Sequence, residues 1–541
     1  VNFLQGVCGE CGGEAALRDL PLPRTVINGG VQMRNTVVTI VSILFLVSCG
    51  GSSSDDQPAA APQPTLADPA LEQAAATFAA TAFAPTGGLP ALPNLVPTAN
   101  ESGFAATFSK TGVIDRTGPF FQNLGINGRS CSSCHIQGEG WTITPRGVQE
   151  RFEKSDGTDP IFRLVDGSNS PVADVSTFEA RRSAFSMLLN KALIRVGIGI
   201  PDGAEFELAA VDDPYGFASA KELSLFRRPL PTANMDFLST VMWDGRETIL
   251  DPAGVDCVLG TTNCFATLHF TLGNQSNSAT VGHSEAPLLI SDAQRKGIVD
   301  FQTDLFTAQI FDREVGYLTS QGARGGVVAL SNEVFYFGIN DTLVGDYRTQ
   351  TPFTPIAMTM YEAWASAAPD ASIGHSHLRD RVAAARKAVV RGQALFNSKP
   401  IQIRNVKGLN DALAIAMIPG TCTTCHNSPN VGNHSVPLPL DIGLADASRR
   451  TPDMPLYTLR HKTSGETIQT TDPGRALISG KWNDIGRFKG PILRALATRA
   501  PYFHNGSAKD LHGAVEFYDT RFGMALTPDE KSDLVAFLRT L

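Results

Sequence analysis

Two segments of this chain carry the same chemical signature. Cys131-Ser-Ser-Cys134-His135 and Cys422-Thr-Thr-Cys425-His426 each set two thiols one turn apart, with an imidazole directly after the second. Thiols at that spacing reach the two vinyl groups of a porphyrin, and the adjacent imidazole is delivered to the iron. The pattern predicts c-type haem attachment at both places, through Cys131, Cys134, Cys422 and Cys425, with His135 and His426 as iron ligands. A disulfide beside an accidental histidine is the bland alternative. A zinc site is another, but zinc takes four ligands and no further Cys/His pair stands at finger spacing.

The elements that position these motifs look duplicated. Gly118-Pro-Phe-Phe121 leads into the first and Gly392-Gln-Ala-Leu-Phe396 into the second, as in a diverged internal repeat. A length of 541 residues allows several domains, and 42% hydrophobic with 18% charged residues is a globular composition. The net charge of −8 gives no general reason to bind nucleic acid. No apolar run is long enough for a multi-spanning membrane protein.

Met33-Arg34, the apolar run Val37–Val47 and Ser48-Cys49 read as a secretory signal whose end resembles a lipobox. Residues 1–49 are therefore expected to be an upstream extension plus signal, with a lipid on Cys49 holding the chain to the outer membrane in the periplasm. Cys8 and Cys11, upstream of Met33, carry no functional weight. Residues 50–100, rich in Ser, Ala, Pro and Thr, are expected to be a flexible linker. Cys257 and Cys264 are expected to close a small disulfide loop. Thr527-Pro-Asp-Glu530 is a capping box with proline at the first helical position, followed by Leu534, Val535, Phe537 and Leu538 at helical spacing.

Four further segments bear on identity: Met242-Trp-Asp-Gly-Arg246, Asp472-Pro-Gly-Arg475, Phe488-Lys-Gly-Pro-Ile-Leu-Arg494 and Ala500-Pro-Tyr-Phe-His-Asn-Gly506. With the two haem motifs they resemble the bacterial di-haem cytochrome c peroxidase/MauG family, strongly over 385–541 and patchily over 115–290. The resemblance implies a mainly α fold with two cytochrome c-like haem domains, a peroxidatic one over 101–384 and an electron-transfer one over 385–541. The stretch between His135 and Trp243 is longer than the family places there. Alternating segments such as Phe206-Glu-Leu-Ala-Ala-Val211 make it a partly β insertion.

The same resemblance implies hydrogen peroxide reduction at the N-terminal haem. Electrons would come from a small cytochrome c or cupredoxin through the C-terminal haem, in a homodimer. One alternative is MauG-like oxidation of a protein or organic substrate; another is a non-catalytic electron-transfer lipoprotein.

Residue by residue, Leu272-Gly-Asn-Gln275 matches the family's L-x-x-Q element and Glu285 lies ten positions on, so Gln275 and Glu285 are the implied distal pair. His283 competes for the acid–base role. Trp243 corresponds to the inter-haem tryptophan, and Asn234 to a ligand of an inter-haem calcium ion. Tyr518, in Ala514-Val-Glu-Phe-Tyr518, stands at the sixth-ligand position of the C-terminal haem, with Met524 as the alternative. No histidine occurs between His135 and His269, which implies an open first iron.

Overall fold

The computed structural model describes residues 90–248 and 263–541. The signal, Cys49, most of the expected linker and the Cys257–Cys264 pairing lie outside these residues. Within the expected linker, Ala91–Pro93 and Pro97–Asn100 are strands.

Pro97–Asn100, Gly103–Ser109, Leu305–Asp312 and Gly316–Tyr317 form one antiparallel sheet in that order. Phe104 faces Phe311, and Phe108 faces Phe306. Gly103 lets the strands approach, since a Cβ there would lie 2.3 Å from the Phe311 carbonyl oxygen. Ala106, Phe306 and Ala308 of this sheet share a buried cluster with Met235, Phe237, Leu268 and Leu272.

The inserted segment is stitched to the C-terminal part of the chain. Ile194–Ile198 pairs with Leu223–Arg227. Phe206–Asp212, the alternating segment, is a strand as its pattern predicts, and it pairs with Leu456–His461, which pairs in turn with Thr467–Thr470. Phe206, Tyr457 and Leu459 are buried together with Leu225 and Leu477. Strand content therefore extends well beyond the insertion, and the fold is mixed α and β rather than mainly α. The reason is physical: Leu456–His461 buries Tyr457 and Leu459 on one face, and while one of its edges is paired locally by Thr467–Thr470, the other takes Phe206–Asp212, distant in sequence.

The helices follow their local signals. The terminal helix Pro528–Arg539 has the capping box between Thr527 and Glu530. It packs on the long helix Ser376–Ser398, which runs through the expected domain boundary at 384/385. Val389 and Phe396 of one meet Leu534 and Phe537 of the other in the largest buried cluster. Gly392 permits the crossing, because a Cβ there would lie 1.9 Å from the Asp533 carbonyl oxygen. Beside it, Arg391 grips the Asp533 carboxylate with two bonds of 2.7 Å.

Candidate functional site

The two C-x-x-C-H segments fold alike. Cys131–Ser133 and Cys422–Thr424 are single 3-10 turns, each closed by a reciprocal capping box, Ser130 with Ser133 and Thr421 with Thr424. The next backbone N–H in each, of His135 and His426, donates to the first cysteine's carbonyl at 3.0 and 3.1 Å. His135 Nδ1 lies 3.0 Å from the Trp141 carbonyl, and His426 Nδ1 lies 2.6 Å from that of Gly432. A carbonyl only accepts, so Nδ1 carries the proton in both rings and Nε2 keeps its lone pair, the arrangement of an oriented metal ligand. The repeat extends to the lead-ins: Phe120 lies 6.3 Å from the His135 ring and Phe396 5.9 Å from the His426 ring, both tilted 49°.

Each motif walls a cavity. The first, with Cys131, Cys134 and His135, encloses about 1530 Å³ including its mouth; the second, with Cys422, Cys425 and His426, about 1490 Å³. Burial pushes the Cys131 and Cys422 thiols up to about 12 and Cys425 to about 11. Trp243, Lys489 and Pro491 line both cavities and form the wall between them.

The wall is cationic. Arg228, Lys489 and Arg499 are buried and line the first cavity, and among the described residues none bonds a carboxylate. Burial, with Arg499 beside it, pushes Lys489 down to about 7; burial likewise pushes Arg228 and Arg499 down to about 10. Buried charge without a partner is costly, so this wall suits a ligand bearing carboxylates. On the second side, His504 is fully buried with neither ring nitrogen hydrogen-bonded, stacked 4.0 Å from Phe488 and edge-on to Trp243 at 6.2 Å. Free thiols, imidazole lone pairs and buried cations that meet carbonyls but no carboxylate all fit haem. The residues that would hold it are Cys131, Cys134 and His135 in one cavity and Cys422, Cys425 and His426 in the other.

The open face of the first cavity is built by the helix Asn263–His283. Leu268, Leu272, Ser276 and Thr280 are buried along one side, the two hydroxyls donating to the carbonyls four residues back. Gln275, Ala279 and His283, also four apart, line the cavity. Glu285 does not join them. The helix stops at His283, and Glu285 takes a left-handed backbone (φ 54°), is exposed, and accepts from Asn127 Nδ2 at 2.9 Å. Of the three residues expected at this face, Gln275 and His283 line the cavity and Glu285 does not. Glu285 falls two residues past the end of the helix, so the helix no longer sets its direction.

Two residues beyond the sequence expectations complete this face. His283 Nδ1 lies 2.5 Å from Asp166 Oδ2, and Arg129 Nη1 lies 2.5 Å from Asp166 Oδ1. Asp166 and Arg129 are buried and line the same cavity. Burial acts to raise the Asp166 carboxyl, but Arg129 and His283 together hold it below the ordinary carboxylate value. Asp166 lies in the insertion, in a turn-like Val165-Asp-Gly-Ser168 with no local signature of function. Arg129 was legible only as a charge two residues before Cys131.

In the second cavity both sixth-ligand candidates reach the wall. Tyr518 lies on the helix Leu511–Phe522, and Met524 follows the Gly523 turn that ends it. Burial, with Cys425 and Cys422 nearby, pushes the Tyr518 phenol up. His434 also lines this cavity, but its Nδ1 accepts from the Val436 N–H at 3.3 Å, so it presents an N–H there rather than a lone pair.

The signature segments converge on the shared wall. Trp243 Nε1 donates to the Arg228 carbonyl at 2.7 Å, and its own carbonyl accepts from the Lys489 N–H at 2.9 Å. Asn234 lines the first cavity, but both ends of its amide are engaged at 2.9 Å by the Thr307 backbone. Among the described residues no cluster of three or more His, Cys, Asp or Glu side chains is arranged to hold a metal ion, and no helix is long and apolar enough to cross a membrane.

No family model matches the chain. It is similar to cytochrome-c peroxidase IdrP1 of Pseudomonas sp. (strain SCT), 29% identical over 171 residues, 28% of this chain and 39% of that one. Cytochrome-c peroxidase IdrP2 of Denitromonas iodatirespirans is 36% identical over 138 residues, 23% of this chain and 36% of that one. Cytochrome c551 peroxidase of Pseudomonas aeruginosa is 28% identical over 146 residues, 27% of this chain and 36% of that one. The matched stretch thus spans under two fifths of these relatives' length. Among solved structures, a MauG-like protein associated with microbial copper homeostasis aligns over 78% of this chain and 85% of its own, at 18% identity and a TM-score of 0.33.

Proposed function

We propose that this chain, a relative of the cytochrome-c peroxidases over its matched stretch, is a two-haem oxidoreductase that reduces hydrogen peroxide. One observation carries the reading: two cavities of nearly equal size, each walled by C-x-x-C-H, meet at Trp243. In each cavity the two cysteines would hold the macrocycle covalently, with His135 or His426, aimed by its carbonyl partner, as the residue to hold the iron. Bound there, haem supplies an iron centre that accepts peroxide in the first cavity and relays electrons in the second.

The chain's own residues do the rest. Gln275 and His283 face the first cavity, where Gln275 orients peroxide through its amide and His283 holds and moves a proton. Tyr518, on the wall of the second cavity, would help hold the haem there and keep substrate out, so that this side would serve electron transfer. Trp243 bridges the wall, its indole fixed by the Arg228 carbonyl. Arg228, Lys489 and Arg499 neutralise the macrocycles' carboxylates. Reducing equivalents come from a small cytochrome c or cupredoxin, in a periplasmic, lipid-anchored protein whose peroxidatic part is 101–384 and whose electron-transfer part is 385–541.

The test is stopped-flow spectroscopy of the haem-loaded chain mixed with peroxide, followed by turnover with a reduced small cytochrome. A rapid Soret change and steady oxidation of the cytochrome are expected. If both Soret bands stay unchanged, the peroxidase reading fails and a non-catalytic relay replaces it. Tyr518 at the second cavity wall gives a MauG-like reading its one foothold. A Soret change without cytochrome turnover selects that reading.

A further inference from the structure

Arg228 apart, the segment between the first haem motif and Trp243 has no role in the reading above, yet it delivers a buried carboxylate, Asp166, to the wall of the first cavity. Asp166 is held at three points. Arg195 N–H donates to its carbonyl at 2.7 Å, Arg129 takes one carboxylate oxygen, and His283 Nδ1 meets the other. Arg129 is itself committed, with Nε and Nη2 donating to the Pro160 and Ile161 carbonyls at 2.6 Å and Nη1 also reaching the His283 carbonyl at 3.1 Å. The array is therefore rigid on the protein side. The imidazole is 41% exposed at the cavity face, and its Nε2 makes no hydrogen bond to the described residues.

We propose that Asp166 is a positioning residue that fixes His283 as the proton carrier of the first cavity, with Arg129 locking the carboxylate. The inference rests on the peroxidase reading and deepens it. A carboxylate on Nδ1 dictates the tautomer: Nδ1 carries the proton and Nε2 is left basic, facing the cavity. Nε2 takes the proton of the inner peroxide oxygen and returns it to the outer one. The O–O bond then breaks with its electron pair on the outer oxygen, which leaves as water. Two electrons from the reduced donor protein and two protons from solvent release the inner oxygen as a second water. Asp166 stabilises the transient imidazolium and does not itself take the proton.

The experiment uses the haem-loaded full chain with His283→Gln, Asp166→Asn, Asp166→Glu and the Asp166→Asn/His283→Gln double variant. Association of hydrogen cyanide with the first iron is followed by the Soret shift, alongside the peroxide reaction. A weak acid must surrender a proton on binding, so its rate reads the distal base without turnover. His283→Gln is expected to slow both reactions by on the order of 100-fold. Asp166→Asn, which presents an amide to Nδ1 and disturbs the tautomer, is expected to slow them by about 10-fold or more, with partial recovery in Asp166→Glu.

The double variant is expected to be no slower than His283→Gln alone, since Asp166 acts through the imidazole. Wild-type rates in His283→Gln, or additive losses in the double variant, overturn the proposal. His283 is half exposed, so its substitution decides the question even where Asp166→Asn fails to fold. A wild-type protein that reacts with neither cyanide nor peroxide sinks the peroxidase reading instead.

Discussion

Arg227 grips the Asp472 carboxylate with two parallel bonds, Nε to Oδ2 at 2.7 Å and Nη2 to Oδ1 at 2.9 Å. Its remaining arm reaches Asp244 Oδ2 at 2.5 Å. One buried guanidinium thus fastens the Trp243-Asp-Gly-Arg246 segment to the Asp472-Pro-Gly-Arg475 segment. Burial works against its charge, but the two carboxylates raise its affinity for the proton above the ordinary arginine value.

Removing that guanidinium strips the buried Asp472 carboxylate of its cation and leaves buried Asp244 with Arg246 alone. Arg227→Ala is expected to destabilise the protein by about 3–5 kcal/mol. Arg227→Lys loses the parallel pair and is expected to fall between. Denaturant unfolding of the haem-loaded protein measures both.

Haem content follows from the thiols. The mature protein is expected to exceed its amino-acid mass by two haems. Cys131→Ala/Cys134→Ala and Cys422→Ala/Cys425→Ala are each expected to lose one. Intact-mass spectrometry after denaturation checks this, because only covalent haem survives.

Trp243→Phe keeps an aromatic ring in the shared wall and deletes the bond to Arg228. Peroxide turnover is expected to drop at least about tenfold, equivalent to ~1.4 kcal/mol of barrier. The resting spectra of both haems should stay unchanged. Single-turnover kinetics, monitored at both irons, separate slowed electron transfer from slowed peroxide binding.

Two side chains, Tyr518 and Met524, reach the wall of the second cavity. Tyr518→Phe is expected to alter the low-spin EPR signal of the C-terminal haem, and Met524→Leu to leave it intact. A methionine–iron charge-transfer band that persists in Tyr518→Phe reverses the assignment.

Gly392→Ala adds a methyl group where the long helix meets the Asp533 backbone 1.9 Å away. The helices must separate, at a cost of about 1–3 kcal/mol. Thermal unfolding measures it. The neighbouring Arg391→Ala removes the half-exposed ion pair to Asp533 across the same crossing and is expected to cost about 1 kcal/mol.

What the sequence determined by itself is the part that is local. Two cysteines, a histidine and a flanking hydroxyl pair define a single turn, and that turn forms alike at Cys131 and Cys422 because everything it needs lies within six residues. The capping box at Thr527 and the alternation of Phe206–Asp212 were readable for the same reason. The tertiary structure decided what depends on helix phase and on partners far along the chain. A count of ten residues nominated Glu285, but the helix ended at His283 and turned that carboxylate outward. Asp166 entered the site from a segment with no motif at all, 117 positions from the histidine it meets. Mixed α and β content likewise arose where Phe206–Asp212 found Leu456–His461, since a strand's need for a partner is written locally but the partner's identity is not.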